Sequence, residues 1–229
     1  MAKKSHREYN NDYPSVTTIL GELRNLALEY WFKYNTIQFT NAESEKGKVI
    51  GKQIHEAIEN YIINNQLKVD TEYEEEVVYA LKSFVLFRTE HPEIELSMPE
   101  LALTSEMYKF NGTIDIIGKI NSICSSLNLN YTTSSLVGDW KTGKCKDKEK
   151  PDVYDSHIYQ VSAYVNLYNE VNKANINRAF IVVLAKDKIA YNLRWVEENE
   201  IKDSFSEVFL SALKILQYKK RSKNGKLSG

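Results

Sequence analysis

Cysteine, proline and glycine are all scarce in this sequence, at two, four and nine of 229 residues. Two thiols, Cys124 and Cys145, cannot furnish the four ligands of an iron–sulfur cluster or of a Cys-only zinc site, so neither group is expected. So little proline and glycine excludes a fibrous or low-complexity chain. Long apolar runs are missing as well. No stretch of about 18 apolar residues exists, which excludes a transmembrane helix and leaves no membrane partner in the expectation. The opening MAKKSHREYNNDYPS carries basic residues with no apolar segment behind them, so no secretory signal is read there. The Arg-rich, acid-poor character of an organelle transit peptide is absent too, and the sequons at Asn111 and Asn130 carry no meaning without secretion. Charge of one sign is also lacking. Thirty Lys and Arg against 31 Asp and Glu give a net charge of -1, which neither announces nor excludes a nucleic-acid partner.

What is present is a globular composition, 42% hydrophobic and 27% charged, long enough for a single domain over residues 1–229. Pro14 and Ser15 open a helical pattern in which Val16, Ile19, Leu20, Leu23 and Leu26 recur at helix spacing. A second helix is expected from about Lys46 to Asn64, with Val49, Ile50, Ile54, Ile58, Tyr61 and Ile62 as its apolar stripe. A third runs from about Glu72 to Thr89 behind an acidic first turn that suits the helix dipole. From about Leu96 the period becomes that of strands. Leu101 and Leu103 lead to Phe110, then Thr113 to Ile117 reads as a buried strand. Asn121 to Ser135, rich in Ser, Asn and Thr, reads as a long hairpin loop. Leu136 to Lys141 is a short strand, about Tyr154 to Asn172 a helix, Ala179 to Ala185 a buried strand paired with Ile189 to Val196, and about Glu197 to Lys219 a closing helix. The fold class is therefore α/β, a central mixed β-sheet flanked by helices. Residues 1–95 make a mainly helical part, 96–229 the core, and about 219–229 a basic, solvated tail.

The chemistry lies in acids set on strands beside a lysine. Asp115 interrupts an apolar strand, where an unpartnered carboxylate is costly. Asp139 and Lys141 stand two apart on the next strand, so both side chains share a face. Two carboxylates and an ammonium converging on one spot suit a hard cation, Mg²⁺ or Mn²⁺, held through oxygen. A cation there would neutralise charge growing on a phosphoryl group and make a bound water more acidic, with Lys141 to position that water, which fits phosphodiester hydrolysis. The plain alternative is an ordinary Asp139–Lys141 ion pair with Asp115 capping a turn. The wider pattern argues against it, because Gln160 and Tyr164 follow one helical turn apart on a shared face.

Four motifs stand in order: Gly51-Lys-Gln-Ile-His55, Gly112-Thr-Ile-Asp115, Asp139-Trp-Lys141 and Gln160-Val-Ser-Ala-Tyr164. Together they resemble the marks of the PD-(D/E)XK nuclease superfamily in its RecB-like exonuclease branch, over nearly the whole chain. Within that branch Pro14-Ser15-Val16-Thr17, Gly51 to Ala57 and Asp139 to Thr142 look similar to the group of the mitochondrial genome maintenance exonuclease and its phage-type relatives. The resemblance implies a restriction-endonuclease-like core and a metal-dependent DNA exonuclease acting on single strands or flaps in replication, recombination or repair. It implies His55, Asp115 and Asp139 as metal ligands, with the backbone carbonyl of Trp140 completing the shell, and Lys141 as the catalytic lysine. Gln160, Tyr164 and Thr142 would support the site or touch DNA. Glu100 matches an acidic position of unsettled role. The polar stretch between Asp115 and Asp139 departs from the tight hairpin of relatives. The cytoplasm of a bacterium or of a phage-infected cell is the expected compartment.

Other readings stand beside this one. A structure-selective endonuclease would use the same core, and a non-catalytic nucleic-acid-binding replication accessory module is the rival from another class. His55-Glu56-Ala-Ile-Glu59 is not a zinc-protease helix, since position 59 is Glu where the second His belongs. His6, His91 and His157 have no comparable company. The aromatic run Tyr30, Trp31, Phe32 and Tyr34 either stacks single-stranded bases or packs inside, and its spread around a helix assigns most of it to the core.

Overall fold

A computed structural model describes residues 9–23, 25–123 and 131–225. Its centre is a five-stranded sheet whose strands lie in chain order: β1 (Ile94–Ser105), β2 (Phe110–Ile123), β3 (Tyr131–Gly143), β4 (Ala179–Ala185) and β5 (Tyr191–Val196). The pairs are antiparallel except β3 with β4, which run parallel across the connecting helix α5 (Asp155–Asn172). The mixed sheet and the α/β class agree with the sequence pattern. Ahead of the sheet lie α1 (Val16–Leu20), α2 (Leu26–Tyr34), α3 (Ile37–Asn64) and α4 (Glu75–Glu90). Behind it come α6 (Glu198–Asp203), a π-helical turn (Ser204–Phe209) and α7 (Leu210–Gly225). No helix among the described residues is long and apolar enough to cross a membrane.

Strand periodicity sorts the core into two layers. Phe180, Val182 and Leu184 of β4, with Trp140 of β3, face Ile50, Ile54 and Ile58 of α3 and Phe84 and Phe87 of α4. Ile181, Val183 and Val137 face the other way, onto Val161, Val165 and Leu167 of α5 with Phe205 and Phe209 behind them. β4 is buried along its whole length because both of its faces are covered, which explains the unbroken AFIVVLA run. Gly138 permits the closest approach in this sandwich: a Cβ there would lie 2.2 Å from the Phe180 ring and 2.5 Å from Ile116.

Several boundaries differ from the sequence expectation. The first apolar pattern is split, since α1, capped by Ser15 accepting from the Thr18 N–H at 3.1 Å, stops at Gly21. The long helix begins at Ile37 rather than Lys46, because Thr36 accepts from the Phe39 N–H and caps it there. The stretch 121–135 is mostly strand: Asn121 to Ile123 pairs with Tyr131 to Thr133, and 124–130, with Cys124 and Asn130, lies outside the described residues, as do His6 and Lys226. The closing helix is interrupted by the π turn, which carries Phe205 and Phe209 inward with their rings stacked 5.5 Å apart. The core assignment of the aromatic run is overturned. Tyr30, Phe32 and Tyr34 are 57%, 47% and 73% exposed. Their rings pack on one another and on the start of α3 instead, Tyr30 stacking on Tyr34 and Trp31 leaning on Phe39.

Candidate functional site

The site lies where the sheet forks. The β2–β3 ladder ends at Ile116 opposite Gly138, after which β3 continues along β4 to Gly143 while β2 stays with β1. Parting strands leave backbone groups without partners, and a buried N–H must find one. Asp115 supplies it: its Oδ2 accepts from the buried Trp140 N–H at 2.9 Å. The acid inside the apolar strand is thus held at the crotch of the fork, and the indole of Trp140 anchors the other branch among Phe84, Phe87 and Phe180.

Two further side chains meet Asp115 there. His55 stands at the border of the buried Ile50–Ile54–Ile58 stripe of α3, with Nδ1 3.6 Å from Glu100 Oε1 and 3.8 Å from Asp115 Oδ2. Glu100 is delivered by an irregular stretch of β1. The register slips between Ser97 and Pro99, and Met98 and Glu100 take positive φ of 44° and 52°. A bulge of this kind re-aims a side chain, and left-handed backbone at a non-glycine residue persists only where its surroundings impose it. One ligand atom from each of His55, Glu100 and Asp115 falls within 4.8 Å of the others. An imidazole nitrogen and two carboxylates form a donor set able to hold a divalent metal ion. Burial disfavours a charged His55, yet the hydrogen-bonding carboxylate of Glu100 and the charge of Asp115 outweigh it, so its pKa is raised.

Asp139 and Lys141 occupy the neighbouring branch on the face toward α5. Asp139 has no exposed surface, and Lys141 Nζ lies 2.6 Å from its Oδ2. That contact lacks hydrogen-bond alignment, and among the described residues neither Asp139 oxygen accepts a hydrogen bond. Burial pushes the Asp139 carboxyl up to about 6 against the pull of Lys141, with the charge of Asp115 adding to the rise. Lys141 is opposed by its own burial but held above its usual range by Asp139 and Asp115, so it stays an ammonium at neutral pH. Two buried acids, Asp139 and Asp115, share the one ammonium of Lys141, so negative charge is left over that a cation can offset.

Helix α5 closes the site from the opposite side. Gln160 Nε2 donates to Tyr164 Oη at 2.8 Å, and burial with the charges of Asp139 and Asp115 raises the Tyr164 hydroxyl well above its ordinary pKa. Gly112 lets α5 come this close, since a Cβ there would meet Leu167 at 2.8 Å and the Tyr164 ring at 3.1 Å. Two cavities flank the fork. One of about 600 Å³ is lined by Lys48, Lys52, His55, Glu56, Glu59 and Glu100 with Gly51, and one of about 190 Å³ by Ser15, Thr17, Asp115 and Tyr164 among others.

The residues singled out in the sequence are therefore drawn together, with changes in grouping. His55 and Asp115 meet as expected, and Glu100, whose role was open, joins them. Asp139 sits beside this trio and is paired to Lys141. The Trp140 carbonyl lies 3.4 Å from Lys141 Nζ. Thr142 falls on the opposite strand face from Lys141. His157, set aside in the sequence, is close enough to feel the charges of Lys141 and Asp139. Its spacing of three and seven residues from Gln160 and Tyr164 was the available signal. No family model matches the chain, and a search of curated proteins finds no match. Among solved structures the chain is similar to the protein SSO0001, at 14% identity and a TM-score of 0.40 over 88% of this chain and 78% of that one. It is also similar to a candidate exonuclease from Eubacterium rectale, at 15% identity and a TM-score of 0.35 over 69% and 70% of the two chains.

Proposed function

We propose that this chain is a metal-dependent deoxyribonuclease, an exonuclease of the RecB-like PD-(D/E)XK type acting on single strands or flaps during DNA replication, recombination or repair. The observation that carries this reading is the meeting, at one fork in the sheet, of the His55–Glu100–Asp115 group with the buried Asp139–Lys141 pair. The order of the four sequence motifs supports it.

In this reading His55, Glu100 and Asp115 hold Mg²⁺ or Mn²⁺, with Asp139 available beside them. The ion would supply charge neutralisation on the phosphoryl oxygens and a more acidic water. The chain's own groups do the rest. Lys141, fixed as an ammonium by Asp139, faces the reacting phosphate, orients the attacking water and offsets charge that grows in the transition state. Water oxygen bonds to phosphorus as the bond to the leaving ester oxygen breaks, and the water's proton ends on that oxygen. Gln160 and Tyr164, joined by their hydrogen bond on α5, support the site from the side of the small cavity.

Purified protein with Mg²⁺ or Mn²⁺ should shorten end-labelled single strands and leave a covalently closed single-stranded circle uncut. Lys141→Ala should lose the activity while the chain stays folded, with a lowered melting temperature because the buried Asp139 loses its partner. Opening of the circle would make the enzyme an endonuclease. No cleavage of any strand, together with no Mn²⁺ binding heat that disappears in Asp139→Asn, would point to the accessory module.

A further inference from the structure

We propose that His157 is a further hydrogen-bond donor to the phosphate that Lys141 faces, an inference that rests on the nucleolytic reading above. His157 belongs to the first turn of α5, and its Nδ1 accepts from the Tyr154 N–H at 3.3 Å, an arrangement that closes the start of the helix. A ring nitrogen that accepts a backbone N–H carries no proton of its own. The neutral imidazole is therefore protonated at Nε2, and its donor is directed away from the cap. The Tyr154 ring, its centroid 5.3 Å from that of the imidazole and nearly perpendicular to it, restrains the orientation further.

The helix fixes where that donor stands. His157, Gln160 and Tyr164 recur at three and four residues, so they form one stripe along α5. The lower end of the stripe is Tyr164, which lines the small cavity with Asp115. The upper end is His157, half-buried and within the fields of Lys141 and Asp139. Burial, reinforced by the Lys141 ammonium, presses the His157 pKa down to about 4, so the ring is neutral at physiological pH. His157 thus extends the Gln160–Tyr164 pair by one turn with a donor that brings no charge. Lys141 supplies the charge at the phosphate, and His157 supplies a fixed direction beside it. No proton leaves the ring in this role.

Two near-isosteric substitutions separate that role from helix capping. In His157→Asn the amide oxygen takes the place of Nδ1 and still accepts the Tyr154 N–H, but nothing donates from the Nε2 position. In His157→Gln an amide N–H reaches that position. His157→Asn should keep the wild-type melting temperature and KM while kcat on a single-stranded oligonucleotide falls by roughly tenfold or more, as for loss of one transition-state donor. His157→Gln should recover most of the rate. A wild-type kcat in His157→Asn, or equal loss in both variants with both melting temperatures unchanged, overturns the proposal. The nucleolytic reading is tested apart from it by titrating the wild type with deoxythymidine monophosphate and following the His157 side-chain nitrogens by NMR. A shift at Nε2 in a protein that cleaves nothing supports the donor and sinks the nuclease. A turning-over enzyme whose His157 nitrogens do not respond sinks the donor alone.

Discussion

Asp139 and Glu76 are both carboxylates held by lysine, Asp139 by Lys141 at 2.6 Å and Glu76 by Lys186 at 3.1 Å and Lys144 at 3.2 Å. One lysine of each acid comes from the same stretch of chain, Lys141 within β3 and Lys144 just past its end. The two acids nevertheless shift in opposite directions. Burial raises Asp139 to about 6, whereas Glu76, 21% exposed, overcomes a smaller burial cost and is held below its ordinary value by Lys186 and Lys144. Pairing with lysine is common to both acids; what surrounds the pair sets the direction of the shift. Glu76 has its charge matched and water at hand. Asp139 is fully buried with a second acid, Asp115, beside it and one lysine to answer both, an arrangement that a cation would complement.

The largest test of that contrast is on the lysines. Lys141→Ala should lower the rate of strand cleavage by roughly 10²–10³, the scale of losing one preorganised electrostatic group. Lys144→Ala, which removes a partly exposed partner of Glu76, should leave the rate within about twofold and stability nearly unchanged, as surface pairs usually do. Equal losses in the two variants would erase the distinction. Metal binding comes next. Isothermal titration with Mn²⁺ should show a binding heat that disappears in Asp115→Asn and weakens by about tenfold or more in Glu100→Gln. Glu76→Gln should bind as the wild type does. If Glu100→Gln binds normally, the bulge of β1 delivers that side chain for some purpose other than the ion.

Glycines sharpen the same opposition between closed and open space. Gly138→Ala forces a Cβ to 2.2 Å from Phe180, inside the sandwich that carries Asp139, and should cost about 1–3 kcal/mol in urea denaturation. Gly51→Ala places its methyl where nothing stands within 4 Å, on the helix that carries His55, and should gain up to about 1 kcal/mol from helix propensity.

The distribution of what the sequence disclosed follows the same physics. β4 was legible because a strand covered on both faces needs an unbroken apolar run, and the helix of Gln160 and Tyr164 because its polar face has a fixed period. Asp115 stood out because an acid inside an apolar strand calls for a partner. Which partner it takes could not be read, since the Trp140 N–H becomes available only where β2 and β3 diverge, and strand divergence is a tertiary event. Glu100 was visible only as an acid in a strand, because the bulge that aims it depends on register with β2. The exposed rings of α2 ran against composition: aromatic residues predict burial, but here they cover one another beside the start of α3. His157 is silent in the sequence for the opposite reason, a lone histidine whose company arrives from another strand.

The pH dependence of stability tests the opposite shifts of the two acids directly. Asp139 keeps its proton in the folded chain up to about 6 against an ordinary 3.8, so over that interval the folded state binds more protons than the unfolded one. Its contribution to stability therefore falls as pH rises from about 4 to about 6. Glu76 has the reverse sign. Its folded pKa lies below the ordinary 4.5, so its contribution is present above that pH and is lost as the solution is acidified through the folded value. Urea midpoints of the wild type, Asp139→Asn and Glu76→Gln, taken across the acidic range with divalent cations chelated, separate the two. The advantage of the wild type over Asp139→Asn should shrink as pH rises, and its advantage over Glu76→Gln should grow. Two differences that moved together would mean that burial does not set these acids apart, and the case for Asp139 as the acid poised for a cation would fall with it.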